Sequence, residues 1–173
     1  MNLAPLQAAI RDVPDFPIPG IVFKDITPIL AQPDLFRQAC QLFVDAFAPQ
    51  RIEAVVGIEA RGFIFGGAVA HLLGTGFIPV RKQGKLPWKT RAAAYALEYG
   101  TATLEIHEDA LAPRQRVLIL DDLLATGGTA AAVAGLVSEL GAQVVACAFL
   151  IELTFLKGRE KLGDYPVFAP LTY

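Results

Sequence analysis

The sequence predicts an α/β fold, a mainly parallel central sheet flanked by helices. Three observations carry this. Ala54–Ile58, Gly76–Val80, Val117–Leu120 and Gln143–Ile151 are short, largely apolar runs, as strands buried on both faces should be. Helical stretches, Phe63–Leu73 and Ala130–Leu140, alternate with them, the pattern of a parallel sheet covered on both sides. Two strand-to-helix joints, Glu59–Gly62 and Ala125–Thr129, are short loops containing glycine. Ligands of such sheets lie beyond the carboxyl ends of the strands, so both loops are expected at one edge.

Taken in order, Met1–Asp15 is expected to form a short helix ended by Pro14 and Pro17. Phe16–Gly20 is a Pro/Gly-rich turn, and Ile21–Phe23 a short apolar piece with Phe23 and Lys24 at its end. Phe23 reads either as core or as a stacking platform. Asp34–Ala48 predicts an amphipathic helix, because Phe36, Cys40, Phe43 and Phe47 share one stripe; Asp34, after Pro33, is its N-cap candidate. Arg61, in the loop after Ala54–Ile58, reads as salt-bridged to Glu59 or a neighbour, or as a cation facing a bound anion. Arg81–Arg91 carries Arg81, Lys82, Lys85, Lys89 and Arg91 with no acid between them. Gly84 and Pro87 argue against a regular element there. The stretch is a solvated basic loop or a flap that closes over a polyanion; Trp88 fits neither. Tyr95–Tyr99 and Thr103–His107, joined at Gly100, predict a β-hairpin with Glu98 in its first arm. Gly141 is a natural cap for the helix ending at Leu140. Leu156–Leu162 reads as a short charged helix, before a tail with Pro166 and Pro170.

The stretch Val117–Thr129 carries the most chemistry. Asp121 and Asp122 interrupt an apolar run with two adjacent carboxylates, which only accept hydrogen bonds. At about 4 Å their repulsion is roughly 1 kcal/mol in water and about 4 kcal/mol at an effective dielectric of 20. Sugar hydroxyls or a hydrated metal would relieve it. Gly127 and Gly128 allow a tight turn and close backbone approach. The helix start beyond them offers free N–H groups and the positive end of its dipole, an anion seat to which Thr126 and Thr129 add hydroxyls. An anion beside hydroxyls suggests a phosphorylated sugar; alone, the loop is also consistent with a solvated turn and a capped helix. A Walker-type loop is excluded because no lysine adjoins Thr129, which Ala130 follows.

Composition narrows the classes further. A chain of 173 residues suggests one domain. Apolar residues make up 54% and charged residues 18%, against about 25% charged in an average domain. That excess predicts a buried interface and an oligomer. Fifteen cations against seventeen anions give a net charge of −2 and no reason to expect nucleic acid. The longest apolar run, Val144–Ile151, is too short to span a bilayer. No signal peptide is expected at the N-terminus. Cys40 and Cys147 read as buried free thiols in a reducing compartment. Ser138 is the only serine and lies within a helix, against a serine hydrolase. Two histidines, His71 and His107, without clustered cysteines argue against zinc. No strand is followed by G-x-G-x-x-G, which disfavours a dinucleotide site.

The run Asp121-Asp-Leu-Leu-Ala-Thr-Gly-Gly-Thr resembles the phosphoribosyl-pyrophosphate (PRPP) motif of the type I phosphoribosyltransferases, in the form found in adenine phosphoribosyltransferases. The likeness extends roughly from Asp15 to Leu162. It includes Asp15-Phe-Pro-Ile-Pro-Gly-Ile-Val-Phe-Lys-Asp-Ile, Val56-Gly-Ile-Glu-Ala-Arg-Gly-Phe, Val80-Arg-Lys-Gln-Gly-Lys-Leu-Pro, Leu97-Glu-Tyr-Gly and Leu104-Glu-Ile-His-Glu-Asp-Ala. The resemblance implies a single phosphoribosyltransferase domain over residues 1–173, with a hood at about 1–33 over the base site and a β-hairpin flap. It implies transfer of ribose 5-phosphate from PRPP to N9 of adenine, giving AMP and pyrophosphate. It further implies Mg²⁺ held through PRPP and water near Asp121 and Asp122 with no direct protein ligand, a cytoplasmic homodimer, and neither nucleic-acid nor membrane partners.

Carried over residue by residue, Asp121 and Asp122 would hold the ribose hydroxyls. Ala125, Thr126, Gly127, Gly128 and Thr129 would seat the 5-phosphate. The loop Glu59, Ala60, Arg61, Gly62, with a cis peptide at Glu59–Ala60, would take pyrophosphate through Arg61. Lys85 would close over it with Tyr99 nearby. Phe23 would stack on adenine against Leu123, while backbone groups of Val22 and Lys24 read its edge; many relatives carry Arg at the Lys24 position. Glu98 would handle the base's proton or orient its ring nitrogens. The competing readings are a PRPP-binding regulator without chemistry, which would be expected to have lost Arg61, the flap or Glu98, and a transferase for another purine.

Overall fold

In the computed structural model, residues 2–96 and 101–173 are described. Elements run α1 (Ala4–Ala9), β1 (Arg11–Pro14), β2 (Val22–Asp25), α2 (Thr27–Ala31), α3 (Pro33–Phe47), β3 (Ala54–Ile58), α4 (Gly62–Leu73) and β4 (Gly76–Lys82). Then come β5 (Thr90–Ala96), β6 (Thr101–His107), β7 (Arg116–Leu124), α5 (Gly128–Glu139), β8 (Gln143–Glu152), β9 (Val167–Phe168) and β10 (Leu171–Thr172).

The main sheet is ordered β10-β8-β7-β3-β4-β6-β5, and β9 also pairs with β8. β3, β4, β7, β8, β9 and β10 are mutually parallel, whereas β6 is antiparallel to both β4 and β5. The alternation of side chains along each strand divides the core in two. Val55, Leu118, Leu120, Ala148 and Leu150 face Phe43 and Phe65 of α3 and α4. Val56, Ile58, Ile119, Cys147 and Phe149 face Val133, Leu136 and Val137 of α5. A parallel sheet apolar on both faces and covered on both is the predicted architecture. β1 and β2 form a separate antiparallel ribbon.

Several local expectations are corrected by long-range pairing. The first helix ends at Ala9, not near Asp15, because Arg11–Pro14 pairs with Val22–Asp25. Strand β7 does not stop at Leu120; it runs through both aspartates to Leu124, since Asp121 lies opposite Phe149 and Leu124 opposite Glu152. Helix α3 begins at Pro33 with Gln32 as its N-cap residue; Asp34 is in the first turn and pairs with Arg37 at 2.8 Å. Arg81 and Lys82 complete β4 and Thr90 and Arg91 open β5, so the two ends of the basic stretch are strand, while residues 83–89, with Gly84 and Pro87, form the irregular link expected between them. Leu156–Leu162 is occupied by the tight turns Thr154–Leu156 and Gly158–Leu162 with 3-10 geometry. Cys40 and Cys147 are buried free thiols, pushed up by burial to about 11 and about 12. Gly141, at φ +79, follows the last turn of α5 as anticipated.

Candidate active site

Parallel strands β3, β4, β7 and β8 all end at one edge, and four chemically distinct pieces meet there. The register sets their heights: Gly57 lies opposite Leu120 and Ile58 opposite Val80. The loop after β3 therefore starts level with the aspartates of β7 and the end of β4. The Glu59 N–H continues the ladder to the Val80 carbonyl at 3.0 Å. The Glu59–Ala60 peptide is cis, as the resemblance implied. Gly62 opens α4 against β7 itself; a methyl there would lie 2.8 Å from both Asp121 Oδ1 and the Leu120 carbonyl oxygen. Only glycine lets the loop and the acidic tip come this close.

Arg61 donates from Nε to Asp122 Oδ2, so its ion-pair partner is Asp122, 61 residues away, and not Glu59. Asp122 is only 4% exposed. Its backbone N–H donates to Asp121 Oδ1 at 2.9 Å. Burial, and after it the Asp122 charge, push the Asp121 carboxyl well above the usual carboxylate range. Glu59 is held from the opposite side. Lys85 Nζ lies 2.6 Å and Arg81 Nη2 3.3 Å from its Oε1, and the Lys82 N–H donates to Oε2 at 3.0 Å. Burial alone would raise Glu59, but these donors outweigh it, Lys85 foremost, and hold it at about 2. The turn carrying Lys85 is itself anchored. Arg81 Nη1 donates to the Lys85 carbonyl at 3.0 Å, and the Gly84 N–H to Glu105 at 2.9 Å.

Two cavities open at this edge. A small one, about 80 Å³, is enclosed by Asp121, Leu123, Leu124, Ala125, Thr126, Gly127, Thr129, Ala130 and Phe149. Gly127 has φ +80, and its carbonyl takes the Ala131 N–H at 2.9 Å, so α5 starts directly on the loop. The second, about 380 Å³, is lined by Glu59, Ala60, Arg61, Lys82, Lys85, Asp121 and Asp122. Asp121 is common to both walls. Lys82 is a site residue that the sequence reading did not single out; its place in the basic run was the available signal.

The β1–β2 ribbon reaches the same edge. The Arg61 guanidinium carbon lies 5.3 Å from the centroid of the Phe23 ring, and Phe16 packs edge-on against Phe23 at 5.3 Å. Lys24 points to the other face of β2. Its Nζ is 2.6 Å from Asp12 Oδ1 and 4.1 Å from the centroid of the Tyr173 ring. Val22 and Lys24 border a third, larger cavity of about 750 Å³ together with Phe155 and Tyr173. Leu123 lies with the small cavity. Glu98 and Tyr99 lie outside the described residues.

A small cavity on the glycine loop and a larger one lined by Arg61, Lys82 and Lys85, with Asp121 in the wall of both at the carboxyl ends of a parallel sheet, define a class of protein, and residues 27–168 match the phosphoribosyl transferase domain family. The adenine phosphoribosyltransferase of Nitrosococcus oceani is 58% identical over 168 residues, which cover 97% of this chain and 98% of that one. The crystal structure of adenine phosphoribosyltransferase from Thermoanaerobacter pseudethanolicus has a TM-score of 0.97 at 48% identity, covering 99% of this chain and 100% of that one. The Saccharomyces cerevisiae enzyme, complexed with adenine and an imino-altritol bisphosphate, has a TM-score of 0.90 at 45% identity, covering 96% of each chain. The chain belongs to the adenine phosphoribosyltransferase family.

Proposed function

We infer that this chain performs its family's reaction at the edge just described: ribose 5-phosphate passes from PRPP to N9 of adenine, giving AMP and pyrophosphate, a step of purine salvage. One observation carries the assignment of roles. Asp121 is the shared wall of two cavities whose chemistries match the two ends of PRPP. The loop Ala125–Thr129 and the N-terminus of α5 seat the 5-phosphate. Asp121 and Asp122 accept hydrogen bonds from the ribose hydroxyls. Arg61 and Lys85, joined by Lys82, face the pyrophosphate.

These cations have partners within the chain, Arg61 with Asp122 and Lys85 with Glu59. PRPP offers Arg61 and Lys85 a more highly charged partner and offers Asp122 hydroxyl donors, so binding exchanges one set of pairs for another. Glycosidic cleavage then develops positive character on the ribose beside Asp121 and Asp122, while charge builds on the leaving pyrophosphate beside Arg61 and Lys85. Adenine is stacked by Phe23 against Leu123 under a hood of about residues 1–33. β2 pairs only with β1 within its ribbon, so Val22 and Lys24, two apart, can present backbone groups along one edge to the base. Glu98 handles the base's proton, with Tyr99 near the pyrophosphate.

Mg²⁺ fits this donor set. An ion that keeps several waters would be held by the substrate phosphates, with Asp121 and Asp122 accepting hydrogen bonds from its waters rather than ligating it. When bound it would neutralise charge on the leaving pyrophosphate. A homodimer is supported by α4, whose Ile64 and Leu72 are 40% and 53% exposed in the single chain. With Ala68 they share one helical face at spacing four. No described helix is long and apolar enough to cross a membrane, and we place the protein in the cytoplasm. The test is release of pyrophosphate from PRPP on addition of adenine. Equal amounts of AMP and pyrophosphate are expected. PRPP binding without either product would move the chain to the regulator reading.

A further inference from the structure

We propose that Gly158 and Arg159 are positioning residues that set the shape of the 5-phosphate loop from behind. The proposal rests on the assignment of Ala125–Thr129 as the phosphate seat. That loop has little of its own to fix it. Its side chains are small, and Gly127, the N-cap residue of α5, provides no side-chain cap. What it does have is a second backbone pressed against its rear. A methyl at Gly158 would overlap the Ala125 carbonyl oxygen and come within 3.0 Å of the Leu124 side chain. A methyl at Gly127 would overlap the Gly158 carbonyl oxygen and lie 3.0 Å from its carbon. The two main chains therefore pack with no side chain between them, glycine facing loop in both directions.

Arg159 holds Gly158 in that place. Its Nε donates to both Glu152 oxygens at 2.8 Å, its Nη2 lies 2.6 Å from Oε2, and its Nη1 donates to the Val167 carbonyl at 3.1 Å. Glu152 is 4% exposed, ends β8, and lies opposite Leu124, the residue before the loop. The Leu153 N–H donates to the Leu124 carbonyl at 2.9 Å. The chain from Glu152 to Arg159 is thus a bracket fastened at the sheet and closed on the loop by Gly158. Displacing the bracket displaces the N–H groups that must converge on the phosphate.

The test is Gly158→Ala, with Gly135→Ala as control because a methyl at Gly135 meets open space. KM for PRPP and for adenine, PRPP Kd by titration and the melting transition are measured for each. Gly158→Ala should raise KM and Kd for PRPP by about tenfold or more, since misplacing a binding group by up to an ångström is costly. KM for adenine should stay within about twofold, and Gly135→Ala should change neither. Arg159→Lys keeps the charge but loses the fork, and should shift the same PRPP constants in the same direction. It decides the matter if Gly158→Ala does not fold. Unchanged PRPP constants, or equal rises for both substrates, overturn the proposal. If the unaltered protein binds PRPP but makes no AMP, the functional reading falls while the Kd series still decides this one. If it does not bind PRPP, both fall.

Discussion

Arg61→Met removes a guanidinium and keeps most of its apolar stem. Arg61 is the one cation that touches the carboxylate pair among the described residues, through Nε to Asp122. Opposite charges about 4 Å apart interact by about 4 kcal/mol at an effective dielectric of 20. The Arg61 side chain is 45% exposed, so solvent screening reduces the loss to about 1–3 kcal/mol at neutral pH. The loss should depend on pH. The Asp121 carboxyl is already raised by burial and by Asp122, and Arg61 opposes that rise. Without Arg61 it rises further. A raised carboxyl binds its proton in the folded chain at a pH where the unfolded chain has released it, so stability falls as pH climbs through that window. The deficit of Arg61→Met should therefore be greatest at pH 7 and above and shrink toward pH 4. Urea unfolding of both proteins between pH 4 and pH 8 measures it. A deficit that is constant across that range, or absent at pH 7, refutes the reasoning. In the same variant kcat/KM for PRPP should fall about 10²–10³-fold, the usual cost of losing a charge-stabilising donor.

Three further outcomes follow from the same site. Glu59→Gln should lose stability at pH 7. The distance from the ordinary 4.5 to about 2 corresponds to about 3 kcal/mol, cut to about 1–2 kcal/mol by the half-exposed Lys85 and Arg81. Because the folded value is depressed, the contribution is present above pH 4.5 and fades as pH falls toward 2, so the gap between variant and parent should close in acid unfolding curves. Glu98→Ala should lower kcat by about 10²-fold or more with PRPP affinity retained; near-normal kcat removes Glu98 from the proton path. Lys24→Met should raise KM for adenine by about threefold to tenfold, because it deletes both the Asp12 contact and the Tyr173 ring contact. Lys24→Arg should restore it, and neither should alter KM for PRPP.

The site was legible in the sequence where local chemistry is enough to define it. Val117–Thr129 announces a buried strand, two acceptors and a glycine turn within thirteen residues, and the structure has each of them. Partner identity was not legible. Arg61 looks locally like a partner for Glu59, but the parallel register of β3 against β7 brings Asp122 to it, and Glu59 is taken by Lys85 and Arg81. Strand extent failed for the same reason: Asp121–Leu124 stays extended because β8 continues beside it. Helix α2 did leave a signal, since Asp25 accepts from the Thr27 N–H at 2.9 Å and from its hydroxyl at 2.8 Å just before Pro28. β9 and β10, two residues each, have no period to read. The Gly158 bracket is invisible locally because its reason lies 33 residues earlier, in the Ala125 carbonyl.

Base choice at the PRPP site is open to direct measurement. Purified protein is incubated with PRPP, Mg²⁺ and labelled adenine, with hypoxanthine and guanine in parallel. AMP is expected from adenine, with discrimination against hypoxanthine by a factor on the order of 10⁴, because a site built to hydrogen-bond one edge leaves buried groups unpaired with another. IMP or GMP formed at a comparable rate would contradict the Val22–Phe23–Lys24 base site while leaving the PRPP cavities in place.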